Sequence, residues 1–136
     1  AHFCRSLWLN LGQKAASIGT LGVVKNNEPA IDFGLTTPDP VLLHESLRKM
    51  SDEGIQYVAM EASSHGLDQF RLSGVKLKAG AFLNITRDHL DYHKTMEAYL
   101  DAKLLLATRY LEKSSNFIIN ADLPEFDKIY NKSFSF

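Results

Sequence analysis

The sequence has one cysteine, Cys4, among its 136 residues. That excludes an internal disulfide and fits a reducing compartment. Cys4 itself reads as a small apolar core residue. No apolar run approaches the roughly 20 residues needed to span a bilayer. A formal net charge of only −1 leaves no electrostatic footprint for a polyanion such as nucleic acid. A G-x-S-x-G turn is missing, and the adjacent Ser63-Ser64-His65 cannot make a triad by adjacency, so a serine hydrolase is not indicated. Internal repeats and low-complexity stretches are lacking too.

What is present is an ordinary globular composition, 45% hydrophobic and 23% charged, in one domain's worth of chain. Residues Phe3, Cys4, Leu7, Trp8 and Leu11 share one helical face, with Gly12 as a stop. No capping residue or initiator Met precedes them, so the chain reads as beginning inside a helix, as a piece of a longer protein. Residues 15–24 read as a strand with glycine interruptions, 25–29 as a turn and 30–37 as extended. Asp39 is a good N-cap with Pro40 at the first helical position. Val41, Leu42, Leu47 and Met50 then make an amphipathic helix that ends near Gly54. Residues 55–62 form a nearly all-apolar strand, as strands buried on both faces do.

Residues 63–74 are a loop with one helical turn, and 75–86 contain the next strand. Asp88 to Lys94 reads as a loop. Thr95 caps a helix of roughly 16 residues, 116–122 is a last strand, and the remainder is polar and irregular. Strands alternating with helices predict an α/β fold, a mostly parallel sheet with helices on both faces. Ligands in such sheets bind at the carboxyl ends of strands. Those ends hold Glu61 to His65 and Asn84 to His89, which places both clusters at one rim of the sheet.

Several residues there can carry chemistry. A carboxylate ending an apolar strand, Glu61, is a cap, an ion-pair partner or a ligand for Mg²⁺, which prefers oxygen donors. His89, Asp91 and His93 could form a zinc loop, although no third ligand has the right spacing; capping or backbone bonding is the alternative. Lys103 lies in the middle of the apolar stripe Met96, Tyr99, Leu100, Leu104, Ala107, Tyr110 and Leu111. Either it snorkels outward, or it is a buried amine with a lowered pKa that can react with CO₂. Gln69 and Arg71 follow the Ser63-Ser64 turn, and Arg71 can clamp a carboxylate or phosphate. Thr36 and Thr37 precede Pro38 and either bond a ligand or shape the turn.

The segments TTPDP (36–40), MEASSHGLDQFRL (60–72), FLNITRDHLDYH (82–93), YLDAK ending at Lys103 and INAD (119–122) together resemble the central domain of Mur ligases. They are most similar to the MurE type, the UDP-N-acetylmuramoyl-tripeptide synthetases. The resemblance covers nearly the whole chain. It implies a P-loop NTPase-like central domain, truncated before its first helix, of a three-domain ligase. It further implies ATP-dependent addition of an amino acid, diaminopimelate or lysine, to UDP-MurNAc-L-Ala-D-Glu through an acyl phosphate, in peptidoglycan precursor synthesis.

By resemblance, Glu61 holds Mg²⁺ near the ATP phosphates and His89 a second Mg²⁺. Lys103 is then a carbamylated lysine supporting that second ion. Thr36, Thr37, Ser63, Gln69 and Arg71 contact the UDP-muramoyl dipeptide. A cytoplasmic bacterial enzyme, monomeric at full length, with no nucleic-acid or membrane partner, is expected. The family's Gly-Lys-Thr phosphate loop is not among these residues, nor are its uridine-binding and amino-acid-binding domains, so the piece alone is expected to be inactive. Other readings are folylpolyglutamate synthetase or another Mur ligase, a zinc metallohydrolase on His89, Asp91 and His93, and a non-catalytic interaction module.

Overall fold

The computed structural model describes residues 1–134. The chain falls into two compact units, Ala1–Arg71 and Leu72–Phe136.

The first unit opens with helix α1, His2–Asn10, followed by strands β1, Ala15–Gly19, and β2, Gly22–Lys25. The expected single strand over 15–24 is therefore a hairpin, turned at Thr20-Leu21 between two glycines. Helix α2, Pro40–Asp52, is capped by the Asp39 carboxylate, which accepts from the backbone N–H groups of Val41 and Leu42. Pro40 costs α2 nothing, because a first-turn N–H has no intrahelical partner. The buried face of α2 is Leu43 and Met50, whereas Val41 is exposed. Strand β3, Tyr57–Met60, lies parallel to β1, with Ala15 opposite Tyr57 and Ile18 opposite Met60. Strand β2 is antiparallel to β1, so the sheet order is β2-β1-β3. A short helix α3, Ser64–Asp68, comes next.

Two expectations fail here for one reason. The predicted apolar face of α1 is turned outward, with Phe3 83%, Leu7 63% and Leu11 73% exposed, and Cys4 is exposed as well. The helix instead buries Arg5, and of the predicted face Trp8 alone is partly buried, lying tilted against Tyr57 with ring centres 5.3 Å apart. The Arg5 guanidinium donates to the carbonyl of Asn26 and lies 3.0 Å from His2 Nδ1. β3, being an edge strand, is only partly buried rather than covered on both faces. Which side of an element is covered depends on its neighbours, not on its own pattern.

The second unit holds strand β4, Leu77–Phe82, and strand β5, Leu111–Ile119, paired in parallel. Between them run a single turn α4, Leu90–His93, helix α5, Met96–Leu105, and a π-helical segment, Leu106–Tyr110. Thr95 caps α5, its Oγ1 accepting from the N–H of Ala98 at 3.1 Å. The 88–94 region expected as a loop thus contains a helical turn. The last strand starts at Leu111, earlier than the expected 116. The tail expected to be irregular forms helix α6, Phe126–Phe134. Ile129 of α6 completes a core with Phe82, Ile85, Tyr99, Leu100 and Leu104. The α/β alternation stands, with two parallel strand pairings and one antiparallel among the described residues. Among the described residues β3 and β4 belong to separate sheets, so the expected common rim is not formed by one ladder. No helix among the described residues is long and apolar enough to cross a membrane.

Candidate functional site

In the first unit the polar residues cluster where β1 and β3 end. Parallel register sets the chain leaving β1 beside the chain leaving β3, and the Glu61 N–H extends the ladder by donating to Ile18 O at 2.9 Å. The Glu61 carboxylate lies over Gly19. A Cβ at that glycine would stand 2.5 Å from the carboxyl carbon, so a side chain there would displace the carboxylate from this position. Oε2 of Glu61 accepts from the Thr20 backbone N–H at 3.1 Å and from Thr20 Oγ1 at 3.0 Å. Thr20 Oγ1 is in turn 3.1 Å from Thr36 Oγ1.

Thr37 is fully buried and ties three segments together. Its hydroxyl donates to the Glu61 carbonyl at 2.9 Å, accepts from the Ser63 N–H at 3.0 Å, and lies 3.0 Å from Ser63 Oγ. The carbonyl can only accept, so Thr37's one proton goes there and Ser63 supplies the proton of the hydroxyl pair. Ser63 Oγ also caps α3 by accepting from the Gly66 N–H at 3.0 Å. Arg71 reaches the same place: Nη1 donates to Thr37 O at 2.7 Å, and Nε donates to Gln69 Oε1 at 3.1 Å. Glu61, Thr36, Thr37, Ser63, Gln69 and Arg71 are therefore linked in one hydrogen-bond network. Thr37 sits beneath its surface, while Glu61 and Gln69 are exposed.

In the second unit the other candidates gather round Tyr99. His93 is buried and stacks on that ring, centres 5.2 Å apart at 29°. His89 meets the same ring edge-on at 5.8 Å. Lys103 Nζ lies 5.5 Å from the Tyr99 centre and 5.2 Å from the Phe82 centre. Lys103 is half-buried, and burial lowers its pKa below the ordinary lysine value. Burial raises the Tyr99 phenol, with the Asp88 charge adding to it. His89 begins α4 in a left-handed conformation, φ 54°, with its N–H donating to Asp88 Oδ1 at 2.8 Å. His89 precedes α4 without a side-chain cap, and His93 packs on the Tyr99 ring. Among the described residues no three His, Cys, Asp or Glu side chains converge to hold a metal, so His89, Asp91 and His93 do not form a zinc loop.

Sequence pattern alone does not mark Gly19 and Thr20, nor the ring platform of Phe82 and Tyr99. Glycine before threonine at a strand end is a faint signal; it gains meaning only once β3 is placed alongside.

Residues 1–135 match the Mur ligase middle domain. The chain is 54% identical over 125 residues to the UDP-N-acetylmuramoyl-L-alanyl-D-glutamate--2,6-diaminopimelate ligase of Mesorhizobium japonicum, covering 91% of this chain and 25% of that protein. It is 50% identical over 129 residues to the protein of the same name from Agrobacterium fabrum, covering 94% and 26%. A solved structure of a UDP-N-acetylmuramoyl-L-alanyl-D-glutamate--2,6-diaminopimelate ligase is similar with a TM-score of 0.82 at 32% identity, over 96% of this chain and 26% of that one. The chain thus spans about a quarter of the length of the curated relatives it matches. With the family model covering residues 1–135, this chain belongs to the Mur ligases and corresponds to their middle domain.

Proposed function

We propose that this chain is the central part of an ATP-dependent amide ligase that joins 2,6-diaminopimelate to UDP-N-acetylmuramoyl-L-alanyl-D-glutamate. The observation that carries the substrate assignment is the similarity to diaminopimelate ligases, 54% identity over 91% of the chain. In this reading a carboxylate oxygen of the nucleotide-linked peptide attacks the γ-phosphorus of ATP and ADP leaves. The amine of the amino acid then attacks the acyl carbon, phosphate leaves, an amide forms and a proton is released. Such a reaction needs positioning and charge neutralisation more than covalent help from the protein.

The residues fit that demand. Glu61 keeps Oε1 clear of hydrogen bonds from the described residues while Oε2 is held, which suits an oxygen-seeking cation. Glu61 would hold one Mg²⁺, and His89 with Lys103 a second. Bound Mg²⁺ would neutralise charge on the phosphate oxygens. Burial leaves more of Lys103 as the neutral amine, which can add to CO₂, losing one proton, to give an anionic carbamate oxygen. Arg71 is held between Gln69 and the Thr37 carbonyl, so its guanidinium is ordered before any substrate arrives. Ser63 and Thr36 offer hydroxyl oxygens in the same network. ATP, the nucleotide-linked dipeptide and diaminopimelate are the ligands in this proposal, and the bacterial cytoplasm, where ATP is available, is the compartment. The P-loop, uridine-binding and amino-acid-binding parts of a three-domain enzyme would come from chain outside these residues.

The test is ADP release by the full-length protein with each component omitted in turn, and with lysine in place of diaminopimelate. Turnover is expected only with the nucleotide-linked dipeptide and diaminopimelate together, and to be lost in Lys103→Ala. Equal turnover with lysine would overturn the substrate assignment; ADP release that ignores the dipeptide would overturn the ligase reading.

A further inference from the structure

We infer that Thr20 is a positioning residue for Glu61: a one-way hydrogen-bond relay, Thr36 to Thr20 to Glu61, fixes the carboxylate and leaves Oε1 alone to meet a cation. The inference rests on the reading of Glu61 as a magnesium ligand.

The direction comes from proton counting. An ionised carboxylate only accepts. The 3.0 Å contact from Thr20 Oγ1 to Glu61 Oε2 therefore uses Thr20's single hydroxyl proton. The 3.1 Å contact between Thr20 Oγ1 and Thr36 Oγ1 must then be supplied by Thr36. The Thr20 backbone N–H adds a second donor to the same oxygen at 3.1 Å. Gly19 contributes by having no side chain, since a Cβ would lie 2.6 Å from Oε1 and 2.8 Å from Oε2. Two donors on Oε2 and a close floor beneath the carboxylate restrict its rotation and displacement.

A cation approaching Glu61 therefore meets one oxygen, not a chelating pair, because Oε2 is already engaged from two sides. Thr36, having given its proton to Thr20, meets a ligand only as an acceptor, so the ligand group seated there carries an N–H or O–H. Outer partners of this kind typically tune metal affinity about 10–100-fold.

The experiment is a Mg²⁺ titration of ligation by the full-length protein, comparing wild type with Thr20→Val, Thr20→Ser and Glu61→Gln. Thr20→Val keeps the shape and backbone N–H but loses the hydroxyl. It is expected to raise the Mg²⁺ concentration for half-maximal rate about 10-fold, with the melting temperature little changed. Thr20→Ser is expected to recover most of the loss. A Thr20→Val titration that overlays wild type would overturn the inference. So would equal impairment of Val and Ser variants, or a fall in melting temperature with no change in Mg²⁺ requirement. If Glu61→Gln titrates like wild type, the ligand reading falls and the inference with it; if Glu61→Gln fails while Thr20→Val is normal, only the inference falls.

Discussion

The Nζ of Lys103 stands 5.2 Å from the centre of the Phe82 ring. A second ring, Tyr99, faces the same nitrogen at 5.5 Å, and burial pushes the lysine's pKa down. Aromatic faces return part of the lost hydration, typically about 0.5–1 kcal/mol at partly exposed sites. They offer no fixed counter-charge. A lysine kept in this setting is better suited to reactivity than to stability.

The first prediction concerns that cost. Because the folded-state pKa lies below the unfolded value, protonation favours the unfolded chain. At pH 7 the ammonium opposes folding; the penalty fades as pH rises through the folded pKa towards the unfolded one, near 10.4. Lys103→Met in metal-free buffer is expected to raise the melting temperature at pH 7 by on the order of 2 °C, and by less at pH 10. Thermal unfolding monitored at both pH values checks this. A variant less stable than wild type at pH 7 would sink it.

The second prediction concerns Gly66. A Cβ there would stand 2.7 Å from Thr37 Cβ and Cγ2 and 2.9 Å from Oγ1. Alanine normally favours a helix over glycine by roughly 0.5–1 kcal/mol, but this overlap wedges α3 away from Thr37. Gly66→Ala is expected to destabilise by about 1–2 kcal/mol net. A denaturant-unfolding cycle with Thr37→Gly should show coupling between the two sites of about 1 kcal/mol, since removing Thr37's whole side chain, Cβ included, removes the clash. Simple additivity of the two variants would refute this account.

The third prediction concerns acid. α6 is tied to α5 by Lys128 to Glu97 at 3.2 Å, Lys132 to Glu97 at 3.4 Å and Lys132 to Asp101 at 2.6 Å. The Lys128 and Lys132 ammonium groups hold the Glu97 carboxyl below its usual value. A depressed carboxylate contributes stability above its unfolded pKa, near 4.3, which is lost as pH falls through the folded pKa. Glu97→Gln should therefore flatten the acid limb of a melting-temperature profile below about pH 4.5, with a small effect at pH 7 that shrinks in high salt. An unchanged acid limb would count against it.

Local chemistry is legible in the sequence. Asp39 with Pro40 announces α2, and Thr95 announces α5, because a cap acts through the next few backbone N–H groups. Strand-end polar residues are legible too, as Glu61, Ser63 and Arg71 stand out against an apolar run. Facing is not. The Phe3, Cys4, Leu7, Trp8, Leu11 stripe has the right spacing for burial, yet of these Trp8 alone packs on Tyr57, and Arg5 is the residue the helix buries. Thr20 carries no signal of its own, since its importance comes from Glu61, far along the chain. Helix α6 escapes notice because its polar residues hide the i, i+3, i+4 set Phe126, Ile129 and Tyr130, of which only Ile129 is buried.

The π-helical segment Leu106–Tyr110 begins three residues after Lys103 and runs directly into β5. A π-turn holds more residues than an α-turn, so it changes the phase between the helix before it and the strand after it. The facing of Lys103 on α5 and the pairing of β5 with β4 are thereby uncoupled. Insertions and deletions confined to 106–110 are a route by which relatives could re-register the strand while the lysine keeps its place over Phe82.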